Sequence, residues 1–140
     1  MRRGVTPPTT ESTMSNDEKI LGIGNDLIEI ERIRESVERQ GLAFLDRLFT
    51  QEEQNYCSKF HDPYPHYAGR FAAKEAIAKA FGTGFGAELS WLDLEILNDE
   101  KGRPIAYFSH LAQERFQKPK VHLSISHSKG HATAVAIWVG

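Results

Sequence analysis

A chain of 140 residues with a formal charge of −2 is sized for one domain with one modest core. The slight acidity argues against a nucleic-acid binder, and no apolar run is long enough to span a bilayer. Cys57 is the single cysteine, which excludes an intrachain disulfide and points to an intracellular, cytoplasmic protein.

Residues Met1 to Glu18 carry Thr, Ser and Pro and almost no large apolar side chain, the composition of a disordered tail. Arg2 and Arg3 resemble the start of an export signal, but no apolar stretch follows them, so export is rejected. Met14 is an alternative start. The folded domain is expected over 19–140.

Ile20-Leu21-Gly22-Ile23-Gly24 reads as a short strand whose glycines let another backbone come close, with Asn25-Asp26 just after it. Ile30, Ile33 and Val37 set a helical period over Ile28 to Gln40, and Gly41 ends it. A short helix is expected over Leu42 to Phe49. Thr50 and Glu53 form a capping-box pattern for another that runs to about Phe60. His61-Asp62-Pro63-Tyr64-Pro65 is a loop by composition.

The run Arg70-Phe71-Ala72-Ala73-Lys74-Glu75-Ala76-Ile77-Ala78-Lys79-Ala80-Phe81 is rich in helix formers, with no Gly or Pro inside it. At a helical period Ala72, Ala73, Ala76, Ile77 and Ala80 make a narrow apolar half able to lie close on a sheet. The other half presents Arg70, Lys74 and Lys79 with Glu75, three cations and one carboxylate.

Gly82-Thr83-Gly84-Phe85-Gly86 follows a helix, so a glycine cap and turn fit better than a dinucleotide fingerprint, and no P-loop occurs. Leu92, Leu94 and Ile96 alternate with Asp93 and Glu95 as a half-buried strand. Asn98 to Pro104 is a turn, Ile105 to Phe108 a returning strand, and Ser109 to Gln117 a helix. Val121, Leu123 and Ile125 alternate with His122, Ser124 and Ser126. Lys129-Gly130 turns that strand into Ala132 to Val139, a hairpin. The architecture expected is α+β: a small, mainly antiparallel sheet with the long helix packed across it, one such unit per chain.

Glu75 and Lys79 stand at i,i+4, as a surface ion pair would. Arg70 and Lys74 share that spacing with like charge, a repulsion that a bound phosphate would relieve. Asp26 taken alone is a turn residue or helix cap. Paired with Glu75 it meets the carboxylate count for Mg²⁺ when a polyphosphate supplies the remaining ligands. His127 ends its strand at a turn among small hydroxyl residues, where an imidazole reaches a ligand, whereas His122 is a packing or surface residue. Cys57 and His61 offer two corners of a zinc site that nothing completes.

These residues together resemble the holo-[acyl-carrier-protein] synthase family of 4′-phosphopantetheinyl transferases. The segments that carry the resemblance are Gly22-Ile23-Gly24-Asn25-Asp26-Leu27-Ile28-Glu29-Ile30-Glu31-Arg32-Ile33, Ala68-Gly69-Arg70 through Gly82-Thr83-Gly84, Lys101-Gly102-Arg103-Pro104, and His122 to His127. They stand in the family's order and spacing and cover about Ile20 to Val139. The resemblance implies an enzyme that transfers the phosphopantetheine arm of coenzyme A to a serine of apo acyl carrier protein, releasing adenosine 3′,5′-bisphosphate, in fatty acid biosynthesis. It implies that Asp26 and Glu75 are Mg²⁺ ligands, that Lys79 is the family's lysine one turn on, and that His127 contacts the coenzyme A phosphates. It also implies a homotrimer with coenzyme A between subunits. A non-catalytic coenzyme A or nucleotide-binding module is the alternative, and it has no need of both carboxylates.

Attack by a serine oxygen on the β-phosphorus of a pyrophosphate builds charge that fixed cations stabilise. Lys79 is expected at the transferring phosphoryl or the leaving phosphate, with Arg70, Lys74 or His127 on the other phosphates. A metal-bound water or the free oxygen of Asp26 is left to take the serine proton. Arg32, Ser36 and Arg39, at i, i+4 and i+7 beside Ile33 and Val37, offer a docking face for an acidic carrier helix.

Overall fold

Residues 18–140 are described by the structure, a computed structural model. The expected tail and the choice between Met1 and Met14 lie outside the described residues, apart from Glu18. Its carboxylate accepts an ion pair from Lys120 Nζ at 2.7 Å.

Strand β1 (Ile20–Glu29) pairs antiparallel with β5 (His131–Val139), and β5 pairs with β4 (Lys120–His127), giving the sheet order β1-β5-β4. Helix α4 (Tyr64–Phe81) lies across this sheet. Its 18 residues span about 27 Å. The contact is backbone on backbone. A Cβ on Gly22 would stand 1.9 Å from Ala80 O, and one on Gly24 would stand 2.0 Å from Ala76 O. From β5, Ala132, Ala134 and Ala136 face the helix side, all buried, and Trp138 on the same face meets Phe81 at the end of α4. Small residues on both elements therefore set the close approach foreseen from the glycines.

Helices α1 (Ile30–Gln40), α2 (Leu42–Leu48) and α3 (Gln51–Cys57) follow β1 and pack against the first half of α4. Ile30, Ile33, Phe44, Leu45, Leu48, Phe49 and Tyr67 form the core there. The other core gathers Ile77, Phe81, Leu89, Leu94 and Ile96 with alanines of α4. A hairpin of β2 (Leu94–Asn98) and β3 (Pro104–Phe108) forms a second, two-stranded sheet, and α5 (His110–Arg115) follows it. The antiparallel strands thus divide into two sheets.

Several boundaries differ from expectation for identifiable reasons. β1 runs on to Glu29, because each residue from Ile23 to Glu29 finds a partner on β5; Ile28 is therefore strand, and Asp26 lies within it. α4 begins at Tyr64, with Pro65 in the first turn, where its missing N–H costs nothing. Leu92 leaves the strand. Ser90 and Asp93 close a capping box around the single turn Trp91–Asp93, leaving Leu92 48% exposed. The Thr50–Glu53 capping box is present, although α3 stops at Cys57, short of Phe60. Gly82 ends α4 in the left-handed conformation, φ 78°.

Candidate active site

Residues of one strand face alternate, so Gly22, Gly24 and Asp26 share the side of β1 that meets α4. With the glycines seated on Ala76 and Ala80, Asp26 comes to the flank of α4 that carries Glu75 and Lys79. Lys79 Nζ donates to Asp26 Oδ1 at 3.1 Å and to Asn25 O at 2.9 Å. The Asp26 side chain is 16% exposed and that of Lys79 53%. Burial raises the Glu75 carboxyl above the usual carboxylate range. The Asp26 charge raises it further, and Lys79 opposes both. Two acids distant in the chain therefore meet beside one ammonium, and they repel each other. The donor set is hard carboxylate oxygen.

The three cations expected on one face of α4 go three ways. Lys79 joins Asp26. Lys74 is fully buried and donates hydrogen bonds to Glu53 Oε1 at 2.8 Å, Leu48 O at 2.7 Å and Trp91 O at 3.1 Å. Glu53 is also fully buried, and its other oxygen accepts from Ile96 N at 2.6 Å. Burial pulls the Lys74 ammonium downward in pKa against the pull of Glu53. The expectation that Lys74 faces a phosphate is thereby corrected. Its three protons are taken, and no path to solvent remains.

Arg70 is only 4% exposed. Its Nη2 donates to Asn98 Oδ1, its guanidinium lies 4.2 Å over the Tyr56 ring, and its buried Nε has no partner. Arg70 lines a cavity of about 180 Å³ together with His66, Asn98 and His127. The rings of His66 and His127 meet edge to face at 5.5 Å. Counting 100° per residue, Arg70 lies about 140° and His66 about 180° around α4 from Glu75. Arg70 and His127 thus come together, but on a side of the helix other than the acid pair.

A third feature adjoins the acid pair. Phe71, one turn before Glu75, lines a groove of about 370 Å³ with Arg32, Ser36 and Arg39 of α1 and Phe44 of α2. Ile28, two residues beyond Asp26 on the same strand face, lines it too. The Arg32 side chain is 74% exposed, with a loose 3.7 Å contact to Glu29.

The family described as the 4′-phosphopantetheinyl transferase superfamily matches residues 22–136. This chain belongs to that superfamily. Among curated relatives, the holo-[acyl-carrier-protein] synthase of Protochlamydia amoebophila is 54% identical over 118 residues, covering 84% of this chain and 97% of the relative. That of Chlamydia pneumoniae is 48% identical over 119 residues, covering 85% and 97%. Among solved structures, the Bacillus anthracis holo-(acyl-carrier-protein) synthase in complex with CoA (3′,5′-ADP) superposes with a TM-score of 0.75 at 41% identity, covering 86% of this chain and 97% of that one. The Helicobacter pylori synthase in complex with coenzyme A gives 0.76 at 37%, covering 83% and 98%.

For this phosphopantetheinyl transferase the sequence carries no signal for His66 or Asn98 as members of a site, and it marks Glu53 only as the capping-box partner of Thr50. Each meets its partner only through folding: His66 with His127, Asn98 with Arg70, Glu53 with Lys74. Among the described residues the transferase holds no cluster of three or more His, Cys, Asp or Glu side chains placed to share a metal ion. No helix among those residues is long and apolar enough to cross a membrane.

Proposed function

We propose that this transferase moves the 4′-phosphopantetheine arm of coenzyme A to a serine of apo acyl carrier protein, giving holo acyl carrier protein and adenosine 3′,5′-bisphosphate. The observation that carries the reading is the meeting of Asp26, Glu75 and Lys79 at the edge of a groove lined by Arg32 and Arg39. The relatives named as synthases of the holo carrier, and the neighbours solved with coenzyme A, support it. A non-catalytic binding module would have no use for two mutually repelling acids.

Magnesium is part of this proposal. Asp26 and Glu75 offer hard oxygens, and the repulsion that raises the Glu75 carboxyl is what a divalent cation relieves. When bound, Mg²⁺ supplies neutralisation of charge on the pyrophosphate oxygens. The chain's own groups do the rest. The serine hydroxyl oxygen attacks the β-phosphorus, the bond from that phosphorus to the bridging oxygen breaks, and the electron pair leaves with adenosine 3′,5′-bisphosphate. Lys79, held between Asp26 Oδ1 and Asn25 O, stands ready to balance charge on the phosphoryl or the leaving phosphate. The second oxygen of Asp26 is the chain's own acceptor for the serine proton.

The groove is where an acidic carrier helix would dock. Phe71, Glu75 and Lys79 follow one another by single turns, so a partner seated against Phe71 brings its serine toward the acids. The carrier is read as that of fatty acid biosynthesis. The single buried cysteine suits the cytoplasm.

A homotrimer completes the reading. The acid pair and the Arg70–His127 pocket lie on different sides of α4, and a neighbouring copy would bring one chain's pocket to another's acids. Ile23 and Leu27 of β1 and Val135 of β5, 61%, 66% and 41% exposed, make an apolar outer sheet face for that neighbour.

The test is mass spectrometry of apo carrier protein incubated with enzyme, coenzyme A and Mg²⁺. A phosphopantetheine gain on the serine is expected. Asp26→Ala and Glu75→Ala should each lower the rate by about 10² or more across a Mg²⁺ titration. Near-normal rates in either variant would defeat the site assignment.

A further inference from the structure

The cavity beside Arg70 gathers positive charge with no acid to answer it. Arg70 is permanently cationic, buried, and has one N–H with no partner. His127 enters from the end of β4, and Asn98 from β2 contributes a neutral amide. The acid that acts on His66 is Asp62, which lies in the preceding segment and already faces Arg34 at 3.6 Å. A buried N–H without a partner, in a pocket that no carboxylate lines, is the chemistry of an anion site.

His66 belongs to this wall and has no other evident task. Its ring is clamped: it stacks on Phe60 at 3.6 Å, with Tyr56 edge-on at 6.1 Å. The clamp holds the imidazole 5.5 Å from His127. Burial lowers the His66 pKa, the neighbouring His127 and Arg70 lower it further, and Asp62 offsets part of the effect. From α3, Tyr56 brings no charge at neutral pH, and the Lys59 ammonium lies 6.0 Å over the Tyr56 ring. Every charged group around His66 except Asp62 is therefore a cation, and an arriving anion reverses the balance.

We propose that His66 is a further substrate-binding residue of this transferase, forming with His127 and Arg70 a phosphate-holding wall that grips more tightly once the imidazole is protonated. The ligand class is a phosphate monoester dianion. Its assignment to the phosphate-rich nucleotide end of coenzyme A rests on the transferase reading above. The wall itself rests on the unpartnered Arg70 N–H and the paired imidazoles.

By linkage, an anion that favours the protonated His66 ring binds more tightly below that ring's titration than above it. The test is calorimetric titration of the unmodified enzyme and of His66→Phe, which keeps the stack on Phe60, with adenosine 3′,5′-bisphosphate at about pH 5.5 and about pH 8. The phosphate's own ionisation, near pH 6, acts on both proteins and cancels in the ratio of their affinities. The variant should bind about five- to tenfold more weakly at the lower pH and about equally at the higher. Inorganic phosphate forms a second arm. The same ratio there assigns recognition to the phosphate alone, and a ratio seen only with the nucleotide assigns it to a phosphate positioned by its nucleoside. The His66 ring signal in the NMR spectrum should titrate at higher pH once nucleotide is added. His66→Gln, neutral and hydrogen-bonding, should behave like His66→Phe and stands in if the latter misfolds. Equal pH dependence in all three proteins, with an unmoved His66 signal, overturns the inference and leaves arm transfer intact. Failure of arm transfer in the mass assay would sink the transferase reading instead.

Discussion

Replacing Lys74 by Met removes an ammonium that donates hydrogen bonds to Glu53, to Leu48 O and to Trp91 O. The Glu53 carboxylate is then left in the core with no counter-charge. Breaking one partner of a buried pair costs about 3–5 kcal/mol, far more than an exposed pair is worth. Lys74→Met is expected to lose stability of that order in urea unfolding, and Glu53→Gln in the same background to recover part of it. A Lys74→Met variant within about 0.5 kcal/mol of the unmodified protein would show that the pair does not hold the core. The neighbouring Lys79 behaves oppositely: half exposed, it takes its place from Asp26 rather than from packing. Two lysines five positions apart thus have different tasks, one fixing how α4 sits and the other presenting charge.

At the scale of elements, the α4–β1 contact decides whether the acids meet. A methyl on Gly24 would stand 2.0 Å from Ala76 O and 2.7 Å from Ala80 N, backbone atoms that move only with the helix. Gly24→Ala should therefore cost about 1–3 kcal/mol of stability. Arm transfer should fall by more than the loss of folded protein explains, because Asp26 and Glu75 are pushed apart. Unchanged transfer by folded Gly24→Ala would contradict this coupling. Helix α1 is tested separately. Charge reversal at Arg32 should raise the Michaelis constant for carrier protein several-fold at low salt, with the effect fading as salt screens it. Because Arg32 is exposed, stability should change by less than about 0.5 kcal/mol. An unchanged Michaelis constant would remove α1 from the docking surface.

For the whole molecule, the question is what covers the outer face of the three-stranded sheet. Ile23, Leu27 and Val135 are all exposed on one chain, an arrangement that favours association over a free surface. Sedimentation of the unmodified protein is expected to give a trimer, and Leu27→Glu to dissociate it with loss of arm transfer. An active monomer would refute the shared site.

Much of this enzyme is determined along the chain itself. Gly22 and Gly24 announce a close backbone contact, Thr50 and Glu53 a capping box, Gly82 a helix end, and Asp26 with Glu75 a matched acid pair within family motifs. These signals are local, or they are carried by spacing, and neither depends on what packs where. Tertiary structure decided which cation of α4 stands beside the acid pair. Helical spacing puts Arg70, Lys74 and Lys79 on one half of a cylinder, but it is blind to what each half meets. Glu53, on another helix, draws Lys74 into the core. Asn98 and Tyr56 turn Arg70 toward His66 and His127, and Asp26 with the Asn25 carbonyl holds Lys79. Those partners stand far away in the sequence, so the division of labour among three similar side chains is a property of the packed molecule.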